Sequence, residues 1–297
     1  MSIPIFVGPI SPGDPDYDAV TAELKDHAQT KVKALPARNV TLAHHPTWLE
    51  ATRTSPRSPV QREATERDLG AAGAAVAAVQ HVLTGRGPIA LAAVPCRSGP
   101  SAKEALIGLA GEQAYNVPAI ALAYAKHLRE TIQKNTEVSR LHYYEGHGPL
   151  CPSAVDECLH RRLIELEEWS FSRVAADLTA EDGEIAAMEV SKYGLEPGIS
   201  VPWLSRVDCG GVLRDLLQVF HEQEKEPTPH LVVYEASDMG LGPGDGCIRA
   251  SPFQLLLRDK LVIEACARND WPLVILVSQS RTVGVAQATF RELQATG

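Results

Sequence analysis

This chain has no pair of cysteines separated by two residues, no uncharged apolar run of the roughly 18 residues that a membrane span needs, and no excess of positive charge. Each lack excludes something. The six cysteines, at 96, 151, 158, 209, 247 and 266, have neither zinc-ribbon nor thioredoxin spacing. The most apolar candidate span, 69–83, is Ala-rich, contains Gln80 and His81, and is too short. A formal net charge of −9 argues against nucleic acid or an anionic membrane as the main partner. The opening MSIPIFVGPISPGDPDYD lacks the basic segment and long apolar run of a secretory signal. The expectation is an intracellular protein, cytoplasmic or nuclear, with thiols reduced and mostly buried. Internal repeats and low-complexity tracts are also lacking, and composition does not shift sharply, so a single domain over 1–297 is expected.

What is there reads as alternating strands and helices. A chain of 297 residues, 44% of them hydrophobic, can bury a core without disulfides or metals. Three short continuous apolar runs, 89–94, 231–237 and 273–278, have the character of strands covered on both faces. Weaker strands are predicted at 3–7, 138–144 and 199–203, and 40–51 reads as a strand edge running into a short helix. Helical character is predicted for 19–32, for 69–83 with Asp68 as its cap, and for 119–132, 154–176, 211–224 and 252–268. Residues 52–66, with two prolines, read as a surface loop, and 150–197 as an extra helical and acidic segment. The alternation predicts an α/β fold, a three-layer αβα arrangement with a mostly parallel sheet. Ligands of such sheets sit beyond the carboxyl ends of the strands, which directs attention to 95–102, 142–148, 236–246 and 278–282.

Several blocks, in order, resemble the histone deacetylase and acetylpolyamine amidohydrolase family. AGAAVAAVQHVLTGRGPIALAAV (72–94) resembles the helix and strand leading to that family's Arg-Pro-Pro-Gly-His-His-Ala loop. GEQAYNVPAIALAYAKHL (111–128) is similar to its Gly-Phe-Cys-x-Phe-Asn-Asn-x-Ala-Ile-Ala helix start, with Gly111, Asn116, Ala119, Ile120 and Ala121 in register. SRLHYYEGHGPLCP (139–152) resembles the Ser-Leu-His strand and its Phe-Tyr-Pro-Gly turn, and GISVPW (198–203) the Asn-Val-x-Pro-Leu strand. HLVVYEASDMGLGPGDG (230–246) resembles the segment with a metal-binding Asp and a Gly-Asp-x-Leu-Gly turn. Residues 253–281 are similar to the last helix and strand, which the family ends in Gly-Gly-Tyr. The matches run from roughly 40 to 281 and imply the arginase–deacetylase fold.

The resemblance also implies a site: zinc on two aspartates and a histidine, a His pair for proton transfer, and a Tyr hydroxyl for the oxyanion. Here the His pair falls on Pro100 and Ser101, when Gly99 and Ala102 are held in register. Proline has no side-chain proton to give, and a serine hydroxyl is too weak a base. The family's Asp-x-Asp-x-His-His-Gly-x-Gly strand should lie between the 111–128 helix and the Ser-Leu-His strand, but residues 129–138 contain neither Asp nor His. Either that strand is deleted, or HYYEGHG (142–148) is its remnant, with His142 at an Asp position and Tyr144 at the His position. RLHYY followed by a proline turn fits the later strand better, which favours deletion. Asp238 matches the third metal ligand, Asp245 the Asp of the Gly-Asp turn, and Gln279–Ser280–Arg281 the Gly-Gly-Tyr. One carboxylate does not hold zinc tightly, so Asp238 is expected to be vestigial and to cap its own turn. Asn116, His142, Asp238 and Asp245 form the candidate pocket.

Other signals are weaker. His44–His45, His142, His147 and Cys151 match no known metal spacing, and Glu165–Glu168 and Glu222–Glu226 read as solvated charge runs on helices. Two functions follow. The first is a deacetylase-like protein, inactive in zinc-dependent deacetylation and without cofactor, kept for binding or assembly with a protein partner or a small acetylated ligand. The second is an amide hydrolase with a rebuilt site around Asp238, which would need zinc.

Overall fold

The structure is a computed structural model. It describes residues 2–9, 22, 24, 25, 27–44, 46, 49–50, 59–94, 115–131, 133–134, 139–145, 164–170, 228–236, 252–277 and 280–296. These residues form seven strands: β1 (Ile5–Val7), β2 (Gln29–Lys31), β3 (Ile89–Ala93), β4 (Ser139–Glu145), β5 (Ile164–Ser170), β6 (Leu231–Ala236) and β7 (Leu273–Val277). Around them lie a 3-10 helix (Ala37–Leu42) and four α-helices: α1 (Pro59–Leu83), α2 (Val117–Thr131), α3 (Pro252–Arg268) and α4 (Ser280–Thr296). The strands make one sheet in the order β2-β1-β3-β7-β6-β4-β5. Every pairing in it is parallel.

The three apolar runs are the middle of this sheet, as their composition predicts. All residues of β3, β6 and β7 are buried. Alternate side chains point to opposite faces. Ala90, Ala92, Val233, Val274 and Leu276 pack with α1 and α2, whereas Leu91, Val232, Tyr234, Ile275 and Val277 pack with α3 and α4. The sheet is therefore covered on both sides by helices.

The α1 face is closed by small residues. Ala71, Ala72, Ala74, Ala75 and Ala78 are fully buried. The absence of side-chain bulk lets backbone touch backbone: a Cβ on Gly8, just past β1, would stand 2.0 Å from the carbonyl oxygen of Gly70. A Cβ on Gly73 would stand 2.2 Å from the carbonyl oxygen of Lys33. No described helix is long and apolar enough to cross a membrane.

Several local expectations are corrected. Residues 164–170, expected inside a helix, form β5, paired along its whole length with β4. In IELEEWS the apolar Ile164 and Leu166 alternate with Glu165 and Glu167, a period-two pattern that the high charge concealed. The Glu165–Glu168 run is accordingly on a strand, and the 150–197 segment is not purely helical. Residues 29–31, expected to be helical, form β2 beside β1. The strand edge expected from residue 40 is the 3-10 helix instead. α1 starts at Pro59, inside the expected loop. Proline suits the first helical position, where its missing N–H costs nothing. Asp68 consequently lies inside α1 and is not its cap. The expected elements at 199–203 and 211–224 lie outside the described residues.

Candidate functional site

Topology brings the suspected loops to one edge. β3, β7, β6 and β4 are consecutive neighbours in the sheet and all point the same way. The segments that leave their carboxyl ends begin at residues 94, 278, 237 and 146. Pairing persists to the exit, where the Val94 N–H donates to the Val277 carbonyl at 2.9 Å. β3 is followed by α2 on one face and β7 by α4 on the other. Between β3 and β7 the chain thus diverges to opposite faces, the kind of switch point at which open parallel sheets form a crevice.

Pro100, Ser101, Asp238 and Asp245 belong to these segments but lie outside the described residues, as do His45, His147, Cys151 and the Glu222–Glu226 run. Gln279 does too. Ser280 and Arg281 open α4.

Asn116 caps α2. Its Oδ1 accepts the Ala119 N–H at 2.9 Å, the arrangement that satisfies an orphan donor of a helix start. Its own backbone N–H donates to Nε2 of His44 at 3.0 Å, and the Tyr115 N–H donates to Oδ2 of Asp68 at 3.0 Å. The His44 ring lies 5.7 Å from the Tyr115 ring, centroid to centroid. Because Nε2 accepts, the ring proton of a neutral His44 belongs on Nδ1. The Asn116 amide nitrogen is buried and has no hydrogen-bond partner among the described residues. α2 follows β3, so this cluster stands at the carboxyl edge on the α1/α2 face.

His142 does not join Asn116. Its ring packs edge-on against Trp271 at 5.9 Å, on the α3/α4 face, and its register partner Val232 lies opposite Leu273, the first residue of β7. The sheet separates the two. The next residue, Tyr143, points to the other face, where its buried hydroxyl donates to the Glu235 carboxylate.

A second network lies behind the edge on the α3/α4 face. Asp259 of α3 accepts the Tyr234 hydroxyl, the Thr282 hydroxyl at 2.7 Å, and Nε and Nη2 of Arg258 at 3.0 and 2.8 Å. All four residues are buried. Burial, with Asp259 adding to it, pushes the Tyr234 hydroxyl well above the ordinary tyrosine range, against the opposing charge of Arg258. Burial opposes the charge of Arg258, but Tyr234 and the Asp259 carboxylate together outweigh it and the guanidinium stays protonated. This carboxylate ties β6 and the start of α4 to α3, and so holds the roots of two of the four segments.

The described part of the edge does not fit a zinc ion. β4 carries no aspartate, and its one histidine faces Trp271. Glu235 is held by Tyr143, while His44 and Asp68 are occupied by the start of α2. Among the described residues no three His, Cys, Asp or Glu side chains are grouped as a metal requires. The chain matches no protein-family model and no curated protein sequence.

Sequence reasoning missed Asp259, Arg258, Tyr234, Thr282, Tyr143 and Glu235. A signal existed for most of them. Arg258–Asp259 interrupts the apolar run of α3, and Tyr234–Glu235 sits in a strand buried on both faces. Polar groups in such positions need partners.

Proposed function

We propose that this chain is a deacetylase-like protein of arginase–deacetylase architecture that does not catalyse zinc-dependent deacetylation and is kept for binding or assembly. Its partner is a protein or a small acetylated ligand.

The observation that carries the reading is the character of β4. In the family that the sequence resembles, the metal-ligand strand follows the helix matched by α2, and the Ser-Leu-His strand comes after it. Among the described residues two strands, β4 and β5, follow α2 before β6. That succession favours taking HYYEGHG as the remnant of the ligand strand, over a deletion. β4 also adjoins β6, the strand that leads to Asp238. The strand best placed to complete a metal site with Asp238 therefore supplies a histidine turned into the core and two tyrosines. A single remaining carboxylate does not hold zinc tightly.

The test is turnover. Purified full-length protein, with and without added zinc, is given an acetyl-lysine peptide and N-acetylputrescine. No acetate release above buffer is expected. Zinc-dependent release that disappears in Asp238→Ala would overturn the proposal and establish a hydrolase with a rebuilt site around Asp238.

A further inference from the structure

β2 is the outermost strand of the sheet, paired only with β1 among the described residues. The Val32 N–H donates to the Val7 carbonyl at 2.9 Å, so it is turned toward β1. Backbone groups alternate in direction along a strand, so the N–H and C=O of Gln29 and Lys31 are turned the other way, to the open side. A strand in this position offers donors and acceptors to an extended segment of suitable chemistry. Thr30 and Lys31 are exposed, and Gln29 is half-buried.

Charge decides which segment that is. Lys31 stands two positions after Gln29 and shares its face of the sheet. Gln29 Nε2 donates to the Leu24 carbonyl at 2.7 Å, which holds the turn carrying Lys25 against the start of β2. Lys33 follows two residues later. Lys25, Lys31 and Lys33 are all exposed, and no ion pair among the described residues includes any of them. Between residues 27 and 49 the chain has no Asp or Glu, although its formal net charge is −9. Lysines on an outermost strand oppose pairing with a basic strand, and a second copy of β2 would set lysine beside lysine. They favour a strand with Glu or Asp at alternate positions, because opposite charges on paired strands attract. The negative balance of the whole chain repels a long polyanion or an anionic membrane, whereas a short acidic strand meets only the side of β2.

We propose that β2 is a docking strand for an acidic, extended segment of a partner protein, which adds to the sheet beside Gln29–Lys31. Backbone hydrogen bonds supply the pairing, and the three lysines select the partner by charge. The surface is at the far end of the sheet from β4 and β5 and does not depend on the function proposed for the carboxyl-edge crevice.

The experiment uses the full chain and a fluorescein-labelled peptide in which Glu and Val alternate. A Lys–Val peptide and a Glu–Pro peptide of the same length are the controls. Fluorescence anisotropy at low salt follows binding, and amide hydrogen exchange locates it. Saturable binding of the Glu–Val peptide is expected, with slower exchange at Gln29 and Lys31 and no binding of the Lys–Val peptide. The Glu–Pro peptide should bind about tenfold more weakly, since proline cannot donate to a strand ladder. Lys31→Glu combined with Lys33→Glu should weaken Glu–Val binding roughly tenfold, and Lys31→Arg should leave it within about twofold. Absence of saturable Glu–Val binding overturns the proposal, and the lysines then only guard the strand against association. Equal binding of the Glu–Pro peptide, or an unchanged affinity in the double variant, overturns it as well. So does tighter binding of phosphatidylserine vesicles or single-stranded RNA than of the Glu–Val peptide.

Discussion

Asp68 and Asp259 are both fully buried aspartates on helices, on opposite faces of one sheet, and the hydrogen bonds described above for them differ in kind. Asp68 accepts a backbone N–H, that of Tyr115, with Arg67 beside it at 3.4 Å. Asp259 accepts only side chains among the bonds described above. The first arrangement fixes where the chain runs at the entrance to α2. The second fixes how β6, α3 and α4 stack. The faces differ in the same sense: the α1/α2 side closes by backbone approach at glycine and alanine, the α3/α4 side by larger side chains around a charged network. The lesson is that the two sides should fail differently.

The largest expected effect is on the network. Asp259→Ala leaves Arg258 buried beside a lost carboxylate, and breaking a buried ion pair from one side costs about 3–5 kcal/mol. Asp68→Ala should cost less, about 1–3 kcal/mol, since it removes a charge-assisted bond to a backbone donor whose counter-charge is partly exposed. Denaturant melts of both variants decide the matter. Equal losses would break the contrast between the faces.

How much of this was legible beforehand follows from the physics of each segment. β3, β6 and β7 are buried on both faces, so continuous apolar runs announced them, and α3 was readable to its ends because Pro252 opens it and Asn269–Asp270 closes it. β5 was misread because an edge strand carrying glutamates has the composition of a charged helix, and only its alternation tells otherwise. Asp68 has the residue type of a cap but is used by Tyr115, forty-seven positions away in sequence. No local pattern carries that information. In the candidate site, Asn116 was singled out for its register with a family motif, and the structure gives it a role as the cap of α2. The Asp259 network was not found, since Tyr234, Asp259 and Thr282 are separated in sequence and meet only through the packing of β6, α3 and α4.

Glycines sharpen the contrast at an intermediate scale. Gly70→Ala puts a Cβ 2.6 Å from the Pro9 carbonyl oxygen. Overpacking of this kind costs about 1–3 kcal/mol. Gly284 of α4 has nothing within 4 Å of an added Cβ. Gly284→Ala should therefore stabilise by about 0.5–1 kcal/mol, the usual gain in a helix interior. Opposite signs in thermal melts are the expected outcome, and equal signs would contradict the packing described for α1.

A smaller effect, confined to the α3/α4 side, concerns alkaline pH. Burial pushes the Cys266 thiol well up. A group raised in this way gives its full stability below its unfolded pKa and loses it as pH rises toward the folded one. The parent protein should lose stability above about pH 8.5, on the order of 1 kcal/mol per pH unit from this group. Cys266→Ala removes that loss, so the stability gap between variant and parent should close steadily from pH 8 to pH 10 as urea melts follow it.

The proposal that the carboxyl edge does not hold zinc is tested most directly by melting the parent protein and Asp238→Asn with and without stoichiometric zinc. Any ligand bound only by the folded state raises Tm. If Asp238 serves its own turn, zinc leaves both melting temperatures unchanged and the substitution costs about 1 kcal/mol, the worth of one hydrogen bond. A zinc-dependent rise in the parent that vanishes in Asp238→Asn would contradict the account and restore a metal to the site.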